Sequence, residues 1–347
     1  MSLSPHRIIN SQAPIRICDN GGWTDTWFAE YGSIFNIAVS PYAQVQIAVF
    51  ARAEREHQVT IHAENFGDHY SFNPNEISDW LKHPLLEAAV RRMGVPENLA
   101  IDVMLYSEAP AGGSTGTSAA ITVALIGALD ALSDDRMSAH EVAIIAQAVE
   151  TLDLGQQCGV QDQLCAAYGG INFIEMQQYP HATVTQLKLP SSTLWELEGR
   201  LTLIYLGKAH SSSDVHDKVI AELEAAGPDC KQINDLRLTA PKSRDALHAG
   251  DFPALGRAMI ENTEAQRRLH PDLVSADAQW VITNAKAHGA LGWKVNGAGG
   301  DGGSVTLLCG PDRTAKRIML REIEADNEAF QVIPIRLDQH GLRVWKS

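Results

Sequence analysis

The sequence contains no apolar run of about eighteen residues, the length that a membrane-spanning helix requires. Its opening stretch, MSLSPHRIINSQAPIRI, has neither the basic start nor the apolar core of a secretory signal, so a cytoplasmic protein without membrane insertion is expected. Cysteine is scarce. Cys18, Cys158, Cys165, Cys230 and Cys309 are scattered, odd in number and never spaced C-x-x-C, which argues against a disulfide framework and a structural zinc. Cys165, set among apolar residues, reads as a small core side chain. Positive charge is short as well: 28 Lys and Arg face 42 Asp and Glu, for a net charge of −14. With no basic stripe to offset it, nucleic acid is not an expected partner, although Mg²⁺ and local basic groups could still admit a phosphorylated substrate. The 13 histidines include no H-E-x-x-H pair, which argues against a catalytic zinc.

What is present is the make-up of a globular chain, 45% apolar and 20% charged, and 347 residues suffice for two domains. The stretch that organises the rest is Glu108 to Leu132, EAPAGGSTGTSAAITVALIGALDAL, where Gly, Ser and Thr pass directly into a helical Ala/Val/Leu/Ile run. A helix N-terminus offers unpaired N–H groups and the positive end of its dipole, and glycines let backbone approach a ligand closely. Together they make an anion site; an ordinary Ser/Thr-capped core helix is the competing reading. No Lys follows Gly116, so the G-x-x-x-x-G-K-[ST] loop is absent. The G-x-G-x-x-G string at Gly297, Gly299 and Gly302 runs into SVTLLC, a strand pattern, so it is not a dinucleotide fingerprint.

Along the chain, residues 8–18 predict a strand broken near Pro14, followed by the turn DNGGWTDT and alternating strands through residue 53. A strand at 57–64, one or two helices over 77–94 around Pro84, a strand at 99–110 leading into the glycine-rich loop, a helix from about 137, and a helix and strand about Gly169-Gly170 come next. Strands are expected at 183–190 and 201–206. Beyond residue 207 amphipathic helices dominate, interrupted by a strand–glycine loop–strand unit at 292–310, with a last helix before VIPIRL. The shift fits a division into residues 1–195 and 196–347.

Three glycine-rich polar loops, Asp19–Thr26, Gly112–Ser118 and Gly297–Gly303, suggest one cleft around a charged ligand. Glu150 is either a solvated helix residue or a cleft carboxylate. Asp162 sits among small and apolar groups in GVQDQLCAAYGG, where an unpaired carboxylate is costly, so it either caps its own helix or has partners and a task. Arg16, on an apolar strand, either holds a buried Asp or binds phosphate. Asp25, after two glycines and Thr24, bonds sugar hydroxyls or closes an Asx-turn. His210 and the serines after it read as the start of a helix.

At these residues the chain resembles the galactokinase, homoserine kinase, mevalonate kinase and phosphomevalonate kinase (GHMP) family. Its P-x-x-x-G-L-G-S-S-A motif is matched by Pro110 to Ala119, its P-x-R and G-x-x-T-D by Pro14-Ile15-Arg16 and Gly21 to Asp25, its G-x-x-D-Q by Gly159 to Gln163, and its last glycine loop by Gly297 to Gly303. Within the family the GGWTD and QDQ-x-x-A-A-x-GG strings resemble bacterial D-glycero-D-manno-heptose 7-phosphate kinases, and L-fucose, glucuronate, arabinose and galactose kinases share much of the pattern. The resemblance implies an α+β two-domain GHMP kinase fold, the N-terminal domain like domain 2 of ribosomal protein S5 and the C-terminal one ferredoxin-like. It implies that Pro110, Gly112, Gly113, Ser114, Thr115, Gly116, Thr117 and Ser118 hold ATP, that Ser118 and Glu150 hold Mg²⁺, and that Asp162 and Arg16 are catalytic. Asp19, Gly22, Trp23, Thr24, Asp25, Lys208, His210, Gly299 and Gly300 would hold the sugar, a phosphorylated heptose or a relative, and a homodimer is compatible with it. Ser114 replaces the motif's first glycine and must tolerate that backbone angle; Asp301 interrupts the last glycine cluster. Lys208 or His210 stands where related kinases carry an Arg. A non-catalytic sugar- or nucleotide-binding regulator is the reading from another class.

Overall fold

The computed structural model describes residues 4–76, 79–209 and 214–347. Strands β1 (Arg7–Asn20), β2 (Gly32–Ala51), β3 (Val59–Ala63), β4 (Asp68–Phe72), β5 (Leu99–Ser107), β6 (Ile171–Gln178) and β7 (His181–Gln186) build one sheet. A second, wholly antiparallel sheet has the order β11-β8-β10-β9, from β8 (Leu201–Tyr205), β9 (Gly292–Val295), β10 (Ser304–Leu308) and β11 (Gln331–Ile333). The chain then returns, and β12 (Arg343–Lys346) pairs with β1 at the edge of the first sheet, Ile9 opposite Lys346 and Gln12 opposite Arg343.

Proline removes a ladder donor, and the expected break at Pro14 is instead a register shift between Pro14 and Ile15 within a continuous β1. β2 forks the sheet: residues 32–37 pair with β6, and residues 43–51 pair with β5. The hairpin of β9 and β10 carries the Gly297–Gly303 loop with no helix after it, as the strand pattern predicts.

Helices α1 (Pro84–Met93), α2 (Thr117–Asp130), α3 (Ala139–Ala148) and α4 (Gln161–Tyr168) share the main core with the first sheet. Pro84 does not divide two helices but opens α1, where its missing N–H is harmless. α2 is buried on all sides, so it is a core helix rather than an amphipathic one. Leu125 and Ile126 are fully buried, each contributing about 1.5–3 kcal/mol by leaving water. After α5 (Ser191–Arg200) and β8 come α6 (Asp214–Ala226), α7 (Lys231–Arg237), α8 (Thr239–His248), α9 (Phe252–Leu269), α10 (Ala276–Ala287) and α11 (Arg313–Asp326). α10 and α11 pack on the second sheet. α6, α7 and the end of α9 close a smaller core on Trp23, Phe28 and Ala29. Among the described residues no helix is long and apolar enough to cross a membrane. The two sheets and their helices make an α+β, two-part architecture.

Candidate active site

α2 begins without a side-chain cap: its N-cap is Gly116 at φ 70°, and no side chain bonds the first-turn amides. Those N–H groups therefore face outward, available to an anion. Gly112 (φ 68°) and Ser114 (φ 55°) also take left-handed angles. For Ser114 that conformation costs about 1 kcal/mol, and it aims the Ser114 carbonyl at Arg16 Nη1, 2.5 Å away. Residues 112–118 line a cavity of about 780 Å³, Ser118 is exposed on it, and Pro110 is not part of its wall.

Opposite this loop, Asp162 occupies the first turn of α4. Arg16 donates to it twice, Nε to Oδ1 at 2.8 Å and Nη2 to Oδ2 at 3.3 Å. Burial alone would lower the Arg16 pKa, but Asp162 and Asp19 outweigh it and hold the guanidinium above its ordinary value. Asp162 lies directly against the loop, since a Cβ placed on Gly116 would sit 3.1 Å from its carboxyl carbon.

Asp25 neither closes a local Asx-turn nor stands free. Its Oδ2 accepts the backbone N–H groups of Val160 and Gln161, both at 3.0 Å, and so caps α4 from a loop 135 residues away. Gly159 makes this possible, because a Cβ there would lie 2.1 Å from Asp25 Oδ2. Burial pushes the Asp25 carboxyl up to about 6, the α4 amides opposing and Asp162 adding. A folded pKa above the unfolded value of about 3.9 means that stability is full below pH 4 and declines as pH rises through about 6. Asp25→Asn keeps the capping oxygen without the buried charge. Relative to the unaltered chain it is expected to gain about 2 kcal/mol between pH 4.5 and pH 8, read by urea unfolding at both values. An identical difference at both would contradict it.

α3 runs into a π-helical turn, Val149–Asp153, pinned by Arg92, whose Nε and Nη2 reach the Asp153 carboxylate at 2.5 and 2.6 Å. π-turns re-aim side chains, and this one brings Glu150 to the cavity. Burial pushes Glu150 up to about 7; a bond from Gln163 Nε2 at 2.7 Å opposes this and the charge of Asp162 adds to it. A carboxylate so desolvated, lining the same cavity as the exposed Ser118, suits a divalent cation. Among the described residues no cluster of three or more His, Cys, Asp or Glu forms a metal cage.

The rest of the expected sugar site divides. Asp19 and Trp23 line the cavity. Gly22 and Thr24 are buried and not part of its wall, Thr24 Oγ1 donating to the Gly21 carbonyl at 2.8 Å. Gly297 and Ala298 reach the wall, whereas Gly299 and Gly300 pack on Leu273, whose carbonyl accepts Gly300 N–H at 3.0 Å. Lys208 is off the wall, held by Asp277 at 3.3 Å and Asp301 at 3.4 Å. His210 lies outside the described residues. Sequence reasoning missed Trp27, Phe28 and His216, an aromatic side of the cavity, and Gln163, whose place beside Asp162 in G-x-x-D-Q was the available signal. Burial lowers the His216 pKa, two backbone contacts opposing.

Residues 83–170 match the family model described as GHMP kinases N terminal domain. The D-glycero-alpha-D-manno-heptose 7-phosphate kinase of Campylobacter jejuni is 21% identical over 98% of this chain and 99% of its own. Among solved structures, a D-glycero-D-manno-heptose 1-phosphate kinase from Bacteroides thetaiotaomicron superposes with a TM-score of 0.74 at 22% identity, covering 97% of this chain and 98% of that one. Lactococcus lactis galactokinase complexed with galactose also gives 0.74, at 15% identity over 97% and 95% of the two chains.

Proposed function

The chain belongs to the GHMP kinase superfamily, and on that footing we propose that it transfers the γ-phosphoryl group of ATP to a sugar hydroxyl. The observation that carries this is the Asp162 carboxylate, gripped by Arg16 and lying against Gly116 at the open end of α2. A phosphate chain on the 112–118 amides would have its terminal group beside Asp162. There the acceptor oxygen bonds the γ-phosphorus as the bridging bond to the departing ADP breaks, and the hydroxyl proton passes to Asp162. Such a transfer needs alignment and charge neutralisation more than covalent help. Ser118 and Glu150 would hold Mg²⁺, which supplies neutralising charge to the phosphates when bound. Asp25, through α4, fixes where Asp162 stands.

For the acceptor we propose D-glycero-D-manno-heptose 7-phosphate, phosphorylated at the anomeric hydroxyl to the 1,7-bisphosphate, a precursor for nucleotide-activated heptose and surface polysaccharide. The sequence resemblance and the full-length match to the Campylobacter jejuni kinase support it. One observation favours a second reading, an unphosphorylated sugar. Among the described residues Arg16 is the only Arg or Lys on the cavity wall, and it is already committed to carboxylates. ADP release with Mg²⁺ over the heptose 7-phosphate, D-mannose, L-fucose, D-galactose and D-glucuronate separates the two. Preference for the first with a 1,7-bisphosphate product supports the first reading; preference for a neutral sugar supports the second; no turnover on any refutes both.

A further inference from the structure

Lys294 on β9 is sealed from solvent, with 1% of its side chain exposed. Its ammonium lies 3.4 Å from Asp19 Oδ1, donates to Gln266 Oε1 at 3.2 Å and meets the Val295 carbonyl. Asp19 is equally buried and faces three ways: to Lys294, to Arg16 Nη1 at 3.8 Å, and to the Gly297 N–H at 3.0 and 3.2 Å. Arg16 carries the series on to Asp162 and the Ser114 carbonyl. Four charges of alternating sign thus run from the second sheet to the carboxylate at the phosphate loop.

Stability does not account for the lysine, since an apolar residue of similar length in a sealed site is often as stable as a buried ion pair. Its effect on Arg16 does. Arg16 stands between two carboxylates, and a guanidinium in a low-dielectric site turns toward the less neutralised one. With Lys294 in place Asp19 is satisfied from the other side, and Arg16 sits 2.8 Å from Asp162 but 3.8 Å from Asp19.

We propose that Lys294 is a positioning residue: by neutralising Asp19 it keeps Arg16 turned toward Asp162 and the phosphate loop, and it ties that orientation to the docking of the Gly297 loop. This rests on the phosphoryl-transfer reading for its effect on rate, but not for its effect on Arg16.

The test compares Lys294→Met, Asp19→Asn and the double variant. Lys294→Met is expected to lower kcat about 30-fold with the KM for ATP within about threefold, since a displacement near 1 Å at a reacting group has effects of that order. The Arg16 Nε–H resonance, assigned by its loss in Arg16→Lys, should move upfield as its bond to Asp162 lengthens. In the Asp19→Asn background the lysine has nothing to neutralise, so adding Lys294→Met should change kcat by less than about threefold. Lys294→Met with unaltered kcat and an unmoved resonance overturns the proposal. So does a further large loss in the Asp19→Asn background, the result a purely structural lysine gives. Should Lys294→Met not fold, the charge-balanced double variant against Asp19→Asn decides alone. If the unaltered chain phosphorylates no acceptor, the transfer reading fails while the resonance still reports on Lys294.

Discussion

Asp162→Asn is expected to lower turnover by about 10³-fold while leaving ATP binding within about threefold, because a positioned acid–base group contributes about 10²–10⁴. The substitution conserves shape but removes two things together. The amide cannot take the acceptor's proton, and its NH₂ group would confront Arg16 Nη2, which now donates to Asp162 Oδ2. Arg16 would then turn toward Asp19, already within 3.8 Å. The uncapped end of α2 and the glycines before it are untouched, so nucleotide affinity has no reason to fall. Steady-state ADP release and equilibrium nucleotide binding read the two quantities separately. Were the acceptor the proposed anomeric hydroxyl, which is more acidic than an ordinary alcohol, some turnover would survive. Turnover within tenfold of the unaltered enzyme would remove Asp162 from the reaction.

The second large effect lies seven residues on and concerns folding alone. Gly169 ends α4 at φ 63°, ψ −170°, a region only glycine enters readily, and a Cβ there would lie 2.0 Å from the Gly341 nitrogen. That nitrogen donates to Asp338 Oδ1 at 2.6 Å, while the Asp338 carbonyl accepts the N–H of Gly170 at 2.8 Å. Gly169→Ala must therefore both strain its own backbone and push away the segment that buries Asp338. A loss of about 4 kcal/mol is expected from the two together, with kcat of the remaining folded fraction within about threefold. Urea unfolding with active-site titration distinguishes these; a loss under about 1 kcal/mol would show that the tail gives way freely.

The string GVQDQLCAAYGG thus holds two kinds of residue that a sequence presents as one motif. Asp162 could be read from it because a carboxylate among small apolar neighbours needs an account, and Arg16 for the corresponding reason on β1. The glycine-rich approach to α2 was legible because glycine, hydroxyls and a helix start are local properties. The capping of α4 by Asp25 was not, since its partners are amides 135 positions distant and only the folded chain sets them together. Lys294 in GWKV looks like any solvated strand lysine, and only the folded chain buries it, with Asp19 of β1 and Gln266 of α9 at its ammonium. The architecture was readable where patterns were long. β4, α5, α7 and β12 were overlooked because four to ten residues carry too little periodicity to stand apart from their loops.

The return of the chain to its own beginning bears on biosynthesis. β1 is made long before the strand that seals its outer edge, since Ile9 pairs with Lys346 and Gln12 with Arg343. Gly169 and Gly170 likewise wait for Asp338 and Gly341. Until β12 has been made the nascent sheet holds an unpaired edge, the feature that recruits neighbouring polypeptides and that chaperones exist to shield. The outer edge of the first sheet is therefore closed only once β12 has been made.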